Sequence, residues 1–173
     1  KSLGLRVLSL LTIFILLTIS NVALAQPQPG DEQAISIEVS KKLESFFAGQ
    51  APSSVDEIED SQVHVRELAE MVQKTVVGIG VGAAQGSGVI ISRDGYVLTA
   101  AHVSGRPGRT ARLFLSDGRI VPARTLGQNK TFDAGLMKIQ VDDWENEKWP
   151  HADMGDSADV ELGQWVMAVG HPG

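Results

Sequence analysis

From Thr75 onward the chain breaks into short runs rich in β-branched and apolar residues, each bounded by Gly, Asp or Asn, and this texture limits the possible folds more than any other feature. The runs are Thr75 to Val81, Gly88 to Ser92, Tyr96 to Thr99, Arg112 to Leu115, Arg119 to Leu126, Leu136 to Gln140 and Gln164 to Val169. Short strands at such spacing argue for an all-β barrel or sandwich. No helix alternates with them as a parallel sheet would require, and no internal repeat is visible. Arg93-Asp94-Gly95 and Ser116-Asp117-Gly118 each place Asp-Gly between apolar runs, the strongest short-range hairpin pattern.

The residues before Thr75 have a different character. Lys1 and Arg6 flank an apolar run, Val7 to Ile19, that closes on Ala23-Leu24-Ala25. This is the charged start, apolar centre and small-residue cleavage site of a secretory signal, expected over residues 1–25. The apolar part is shorter than the roughly 20 residues that cross a bilayer, so no stable membrane span is expected after cleavage. Residues 26–33, rich in Pro, Gln and acid, read as a linker. Ile35, Val39, Leu43 and Phe46 then recur at helical spacing and predict an amphipathic helix from Ala34 to Gly49. Ser54 ahead of Val55-Asp56-Glu57 is a helix start signal, and Val63, Leu68 and Val72 predict a second helix reaching Lys74. His64 on that helix sits among polar neighbours and reads as a surface residue. The segment 34–74 has the pattern of an oligomerisation or regulatory arm, with packing on the barrel its simpler use.

Charge and composition exclude some functions. Over 173 residues, 43% are apolar and 21% charged, the balance of a globular chain with a packed core. The net charge of −6 leaves no basic stripe for phosphates, so no nucleic-acid partner is expected. There is no cysteine, so an exported chain must hold itself together without disulfides.

The stretch from Gly86-Ser87-Gly88 through Asp94-Gly95-Tyr96 to Thr99-Ala100-Ala101-His102-Val103 resembles the amino-terminal barrel of HtrA/Deg-type, trypsin-like serine proteases. Three further motifs follow in the family's order: Asp117-Gly118-Arg119, then Asp133-Ala134-Gly135-Leu136-Met137-Lys138-Ile139, then Met154-Gly155-Asp156-Ser157 leading to Gly163-Gln164-Trp165-Val166 and Gly170-His171-Pro172-Gly173. The resemblance covers Thr75 to Gly173. It implies a mainly β fold, the trypsin-like double β-barrel, of which residues 75–173 hold the first barrel and the opening strand of the second. It also implies a serine-type endopeptidase acting on exported polypeptides; the signal places the chain in the periplasm or outside the cell, or anchored to the membrane if it is not cleaved, and no cofactor or metal is expected.

In that chemistry a serine hydroxyl is too weak a nucleophile alone, so a neighbouring imidazole takes its proton and a carboxylate fixes the imidazole's tautomer. The resemblance gives the imidazole role to His102 and the carboxylate role to Asp133. One departure lies directly after Asp133, where this chain has the small pair Ala134-Gly135 and most relatives a larger apolar residue.

Other signals are set aside. Gly155-Asp156-Ser157 lacks the two glycines whose amides form an oxyanion hole, since Ala158 and Asp159 follow, and Ser87 reads as a hairpin residue. The catalytic serine is therefore expected beyond Gly173, and the piece itself is expected to be inactive. Gly78, Gly80 and Ala83 fit a dinucleotide-loop spacing with no helix after them, and read as strand residues. Asn129-Lys130-Thr131 matches a glycosylation sequon. His151 and His171 lack partners at metal-ligand spacing. Trp144, Trp149 and Trp165 read as core or barrel-loop anchors. A non-catalytic relative, working as a chaperone-like or scaffold module, would share every motif quoted, and homo-oligomerisation is left open.

Overall fold

A computed structural model describes residues 39–141 and 148–171, all within the unit Glu32–Gly173. The signal and linker expected over residues 1–33, the start of the first expected helix and Trp144 lie outside the described residues.

Six antiparallel strands close into a barrel in the order β1-β2-β3-β6-β5-β4. They are β1 (Val76–Val81), β2 (Ala84–Ile90), β3 (Tyr96–Ala100), β4 (Thr110–Phe114), β5 (Ile120–Asn129) and β6 (Ala134–Ile139). Strict alternation along β5 and β6 sends Val121, Ala123, Met137 and Ile139 inward, where they meet Val77, Ile79, Val81, Val97 and Leu113. Both Asp-Gly signals are hairpin turns, joining β2 to β3 and β4 to β5, with Gly95 and Gly118 at φ 87° and 86°. Lys138 donates to Asp94 at 2.5 Å, with its ammonium 4.1 Å from the Tyr96 ring centre, and so ties β6 to the first of these turns.

Trp149 anchors the barrel wall as expected. It is fully buried, donates its amide to Arg93 O at 3.0 Å, and lies under the Arg119 guanidinium. His151 is buried beside it, with Nδ1 3.1 Å from the Trp149 carbonyl oxygen.

Three expectations need correction. The first helix contracts to one turn, α1 (Glu44–Phe47): the chain turns at Ser40, whose carbonyl accepts from Leu43 N, and Leu43 and Phe46 supply the buried contacts while Val39 stays exposed. The run Gln164 to Val169 is not a strand. No neighbouring strand pairs with it among the described residues, and Trp165 N reaches only the Phe47 carbonyl. An apolar run becomes a strand only with a ladder partner, and this one leaves Val166 and Trp165 exposed. Trp165 is thus no core residue; it stacks on Phe46 with ring centres 5.4 Å apart.

The second helix, α2 (Val55–Val72), is as expected at its start: the Ser54 hydroxyl accepts from Glu57 N at 3.2 Å, and the Glu57 carboxylate accepts from Ser53 N and Ser53 Oγ. Its apolar face is not as expected, since Val63 is exposed while Leu68 and Val72 are half-buried. His64 is half-buried, with its ring 5.2 Å from that of Phe47. No helix among the described residues is long and apolar enough to cross a membrane.

Candidate active site

β3 runs into a four-residue helix, α3 (Ala101–Ser104), that carries His102. The helix was not legible in advance, because one turn shows no periodicity. Gly105 closes it at φ 66°, a positive angle that Gly adopts at low cost. Three of its residues, Ala101, Val103 and Ser104, are buried, and the last two each face a glycine. Val103 points at Gly86 of β2, where an added Cβ would lie 2.6 Å from Val103 Cγ2. Ser104 points at Gly135 of β6, where a Cβ would lie 2.5 Å from Ser104 Cβ and 2.8 Å from Ala100 O. The small pair after Asp133 therefore has a purpose here: Gly135 lets α3 settle directly on the strand.

Asp133 ends the turn between β5 and β6. Asn129 Oδ1 accepts from Thr131 N at 3.0 Å, a side-chain turn that starts the reversal, so the sequon asparagine has a structural task. Asp133 itself has φ 50°, the left-handed region that Asp and Asn tolerate better than most residues. β3 and β6 are neighbours, with Ala100 opposite Ala134, so the residues just beyond this pair face one another across 31 positions of sequence.

The contact made there is threefold. The Asp133 carbonyl accepts from Ala101 N at 3.0 Å. Its Oδ1 accepts from His102 N at 3.1 Å, and its Oδ2 lies 2.8 Å from His102 Nδ1. The His102 side-chain and backbone hydrogen bonds hold the Asp133 carboxyl below the usual carboxylate range. Both side chains are more than half exposed. An ionised Asp133 accepts the Nδ1 proton, which leaves Nε2 with its lone pair facing away from the carboxylate.

The serines set aside earlier stay apart from this pair. Ser157 lies in an exposed 3₁₀ turn (Ser157–Asp159), and Ser87 accepts from His171 N at 2.9 Å. No hydroxyl among the described residues hydrogen-bonds to His102 Nε2. The ring of His171 covers Gly78 on β1, which is one reason that strand carries glycine.

A closed antiparallel barrel with an imidazole at the end of one strand and its carboxylate at the start of the neighbouring strand defines a class, and residues 86–173 match the trypsin-like peptidase domain family. The chain belongs to that family, and the HtrA/Deg resemblance holds among its relatives. It is 39% identical over 87 residues to a probable periplasmic serine endoprotease DegP-like of Halomonas elongata, covering 50% of this chain and 17% of that protein. The protein of the same description from Marinomonas sp. is 41% identical over 93 residues, 54% of this chain and 19% of the relative. That from Brucella suis is 38% identical over 89 residues, 51% and 17% respectively. The match thus spans less than a fifth of each of these relatives.

Proposed function

We propose that the protein containing this chain is a serine endopeptidase of exported polypeptides, with His102 as general base and Asp133 as the residue that orients it. The observation that carries this reading is the double hold of Asp133 on His102, through the backbone amide and through Nδ1. A ring held at Nδ1 presents Nε2 as the acceptor for a serine proton, and the carboxylate stabilises the imidazolium that results. Nε2 then returns the proton to the leaving amine, and the same cycle with water releases the acyl group.

The nucleophile, in this proposal, follows Gly173 in the longer protein, together with the amides that stabilise the tetrahedral oxyanion. Residues 75–173 would then be the first part of the protease domain. The periplasmic names of the relatives and the apolar leader at Val7 to Ile19 support export. Misfolded chains, whose peptide bonds are accessible, would be suitable substrates.

The test is casein cleavage by the full-length protein. Loss of cleavage in both His102→Ala and Asp133→Ala variants is expected; undiminished cleavage in either refutes its assignment. A full-length protein that cleaves nothing, and whose continuation lacks a Gly-x-Ser-Gly-Gly segment, would instead be a non-catalytic scaffold.

A further inference from the structure

Ser104 is fully buried, and the proposed proton transfers make no use of its hydroxyl. Its Oγ lies 3.2 Å from the Gly127 carbonyl oxygen on β5 and 3.5 Å from that of Leu136 on β6. These two carbonyls flank the turn that carries Asp133. The last pair before that turn is Asn129 with Ala134, and Gly127 is paired with Leu136 two steps further into the sheet. The register also shifts between Thr125 and Gly127, a bulge that skips Leu126. Bulges interrupt ladder hydrogen bonding, and a carbonyl beside one benefits from a side-chain donor. Ser104 thus sits two residues after His102 and touches both strands that present Asp133.

We infer that Ser104 is a positioning residue for the His102–Asp133 pair, fastening the helix that carries the imidazole to the two strands that carry the carboxylate. Besides the bonds to Asp133, two side-chain contacts seat α3, and they differ in kind. Val103 against Gly86 is an apolar contact that fixes how far the helix stands from β2 but not its rotation. Ser104 adds a directional bond at the far end of the turn, and hydrogen bonds weaken steeply away from linear geometry. Asp133 reaches His102 by two oxygens at once, which demands the correct helix rotation as well as the correct distance. Gly135 completes the arrangement, since any side chain there would lift Ser104 off β6. The inference deepens the proposed catalytic reading of the pair, but its test involves no catalysis.

The experiment follows the Asp133 carboxyl by carbon NMR as pH is lowered, in the full chain with labelled aspartate. His102→Ala sets the scale, since loss of the imidazole raises the Asp133 midpoint while the backbone amide of residue 102 still holds Oδ1. In Ser104→Ala, with the fold retained by near-ultraviolet circular dichroism, the Asp133 midpoint is expected to rise part of the way toward that of His102→Ala, because a weakened hydrogen bond stabilises the carboxylate less. Ser104→Cys fills the same space with a feeble donor and moves the midpoint the same way; it decides the matter if Ser104→Ala does not fold. A lower melting temperature with an unmoved Asp133 midpoint would make Ser104 merely structural and overturn the inference. So would a midpoint that does not respond to His102→Ala, because there would then be no pair to position. A full-length protein that cleaves no peptide leaves this inference standing.

Discussion

Asp133 holds His102 at two points, taking the backbone amide on one carboxylate oxygen at 3.1 Å and facing Nδ1 with the other at 2.8 Å. Replacing the carboxylate by an amide keeps the shape and reverses the polarity at one of these points. In Asp133→Asn the amide oxygen can still accept from His102 N, but the NH₂ then faces Nδ1 and favours the tautomer with its proton on Nε2. The full-length enzyme should lose about four orders of magnitude in kcat, with KM little changed. Steady-state hydrolysis of a peptide substrate measures both, and a loss confined to KM would contradict the assigned role.

The same contact sets a pH dependence. Hydrogen bonds from the His102 side chain and amide depress the Asp133 carboxyl, and hydrogen bonds from Ser53 depress Glu57. A carboxyl with a folded pKa below its unfolded one adds stability that is complete above the unfolded value, near pH 4, and disappears as pH falls through the folded value. Denaturant unfolding should therefore weaken progressively below about pH 4. Solvent screening keeps the effect of the exposed Asp133 modest. A double variant, Asp133→Asn with Glu57→Gln, should make the acid limb shallower without abolishing it, since Asp94 and Asp117 are held low as well; an identical limb would show that those carboxyls govern it.

The seat of α3 can be tested from the β2 side. Gly86→Ala would bring a methyl group to 2.6 Å from Cγ2 of the buried Val103. An overpacked site of this kind costs about 1–3 kcal/mol. Trimming Val103 to Ala in the same molecule should recover part of that loss, so the two changes should be non-additive in a double-mutant cycle. Strict additivity would mean that the two side chains do not compete for the same space.

The arm has its own test at Ser54. The Ser54 hydroxyl accepts from Glu57 N, and its removal in Ser54→Ala should cost about 1 kcal/mol of helix stability. Amide hydrogen exchange should quicken in the first turn of α2 and remain unchanged in β6. Protection lost evenly across the barrel would show instead that arm and barrel unfold together.

How much of this was readable in advance depended on the range of the interactions. The hairpins at Asp94-Gly95 and Asp117-Gly118 were legible because the turn residues decide them locally. His102 and Asp133 were legible through resemblance alone, since their spacing of 31 positions says nothing until Ala100 is set opposite Ala134. What the sequence concealed depends on neighbours distant in the chain. Gln164 to Val169 has the composition of a strand but no ladder partner among the described residues, and the pattern from Ala34 to Gly49 yields one turn of helix where its residues are described. In sequence Gly86 is one residue of a motif and Gly135 a departure after Asp133; their reason is the side chain each one makes room for, which only the folded chain reveals.

The pairing of Ala100 with Ala134 has one more consequence. A sheet changes register only in whole steps, and the smallest step that keeps inward side chains inward is two residues, about 7 Å. No intermediate setting exists in which imidazole and carboxylate are slightly apart. Misalignment of these strands would separate imidazole and carboxylate completely, leaving no half-formed pair.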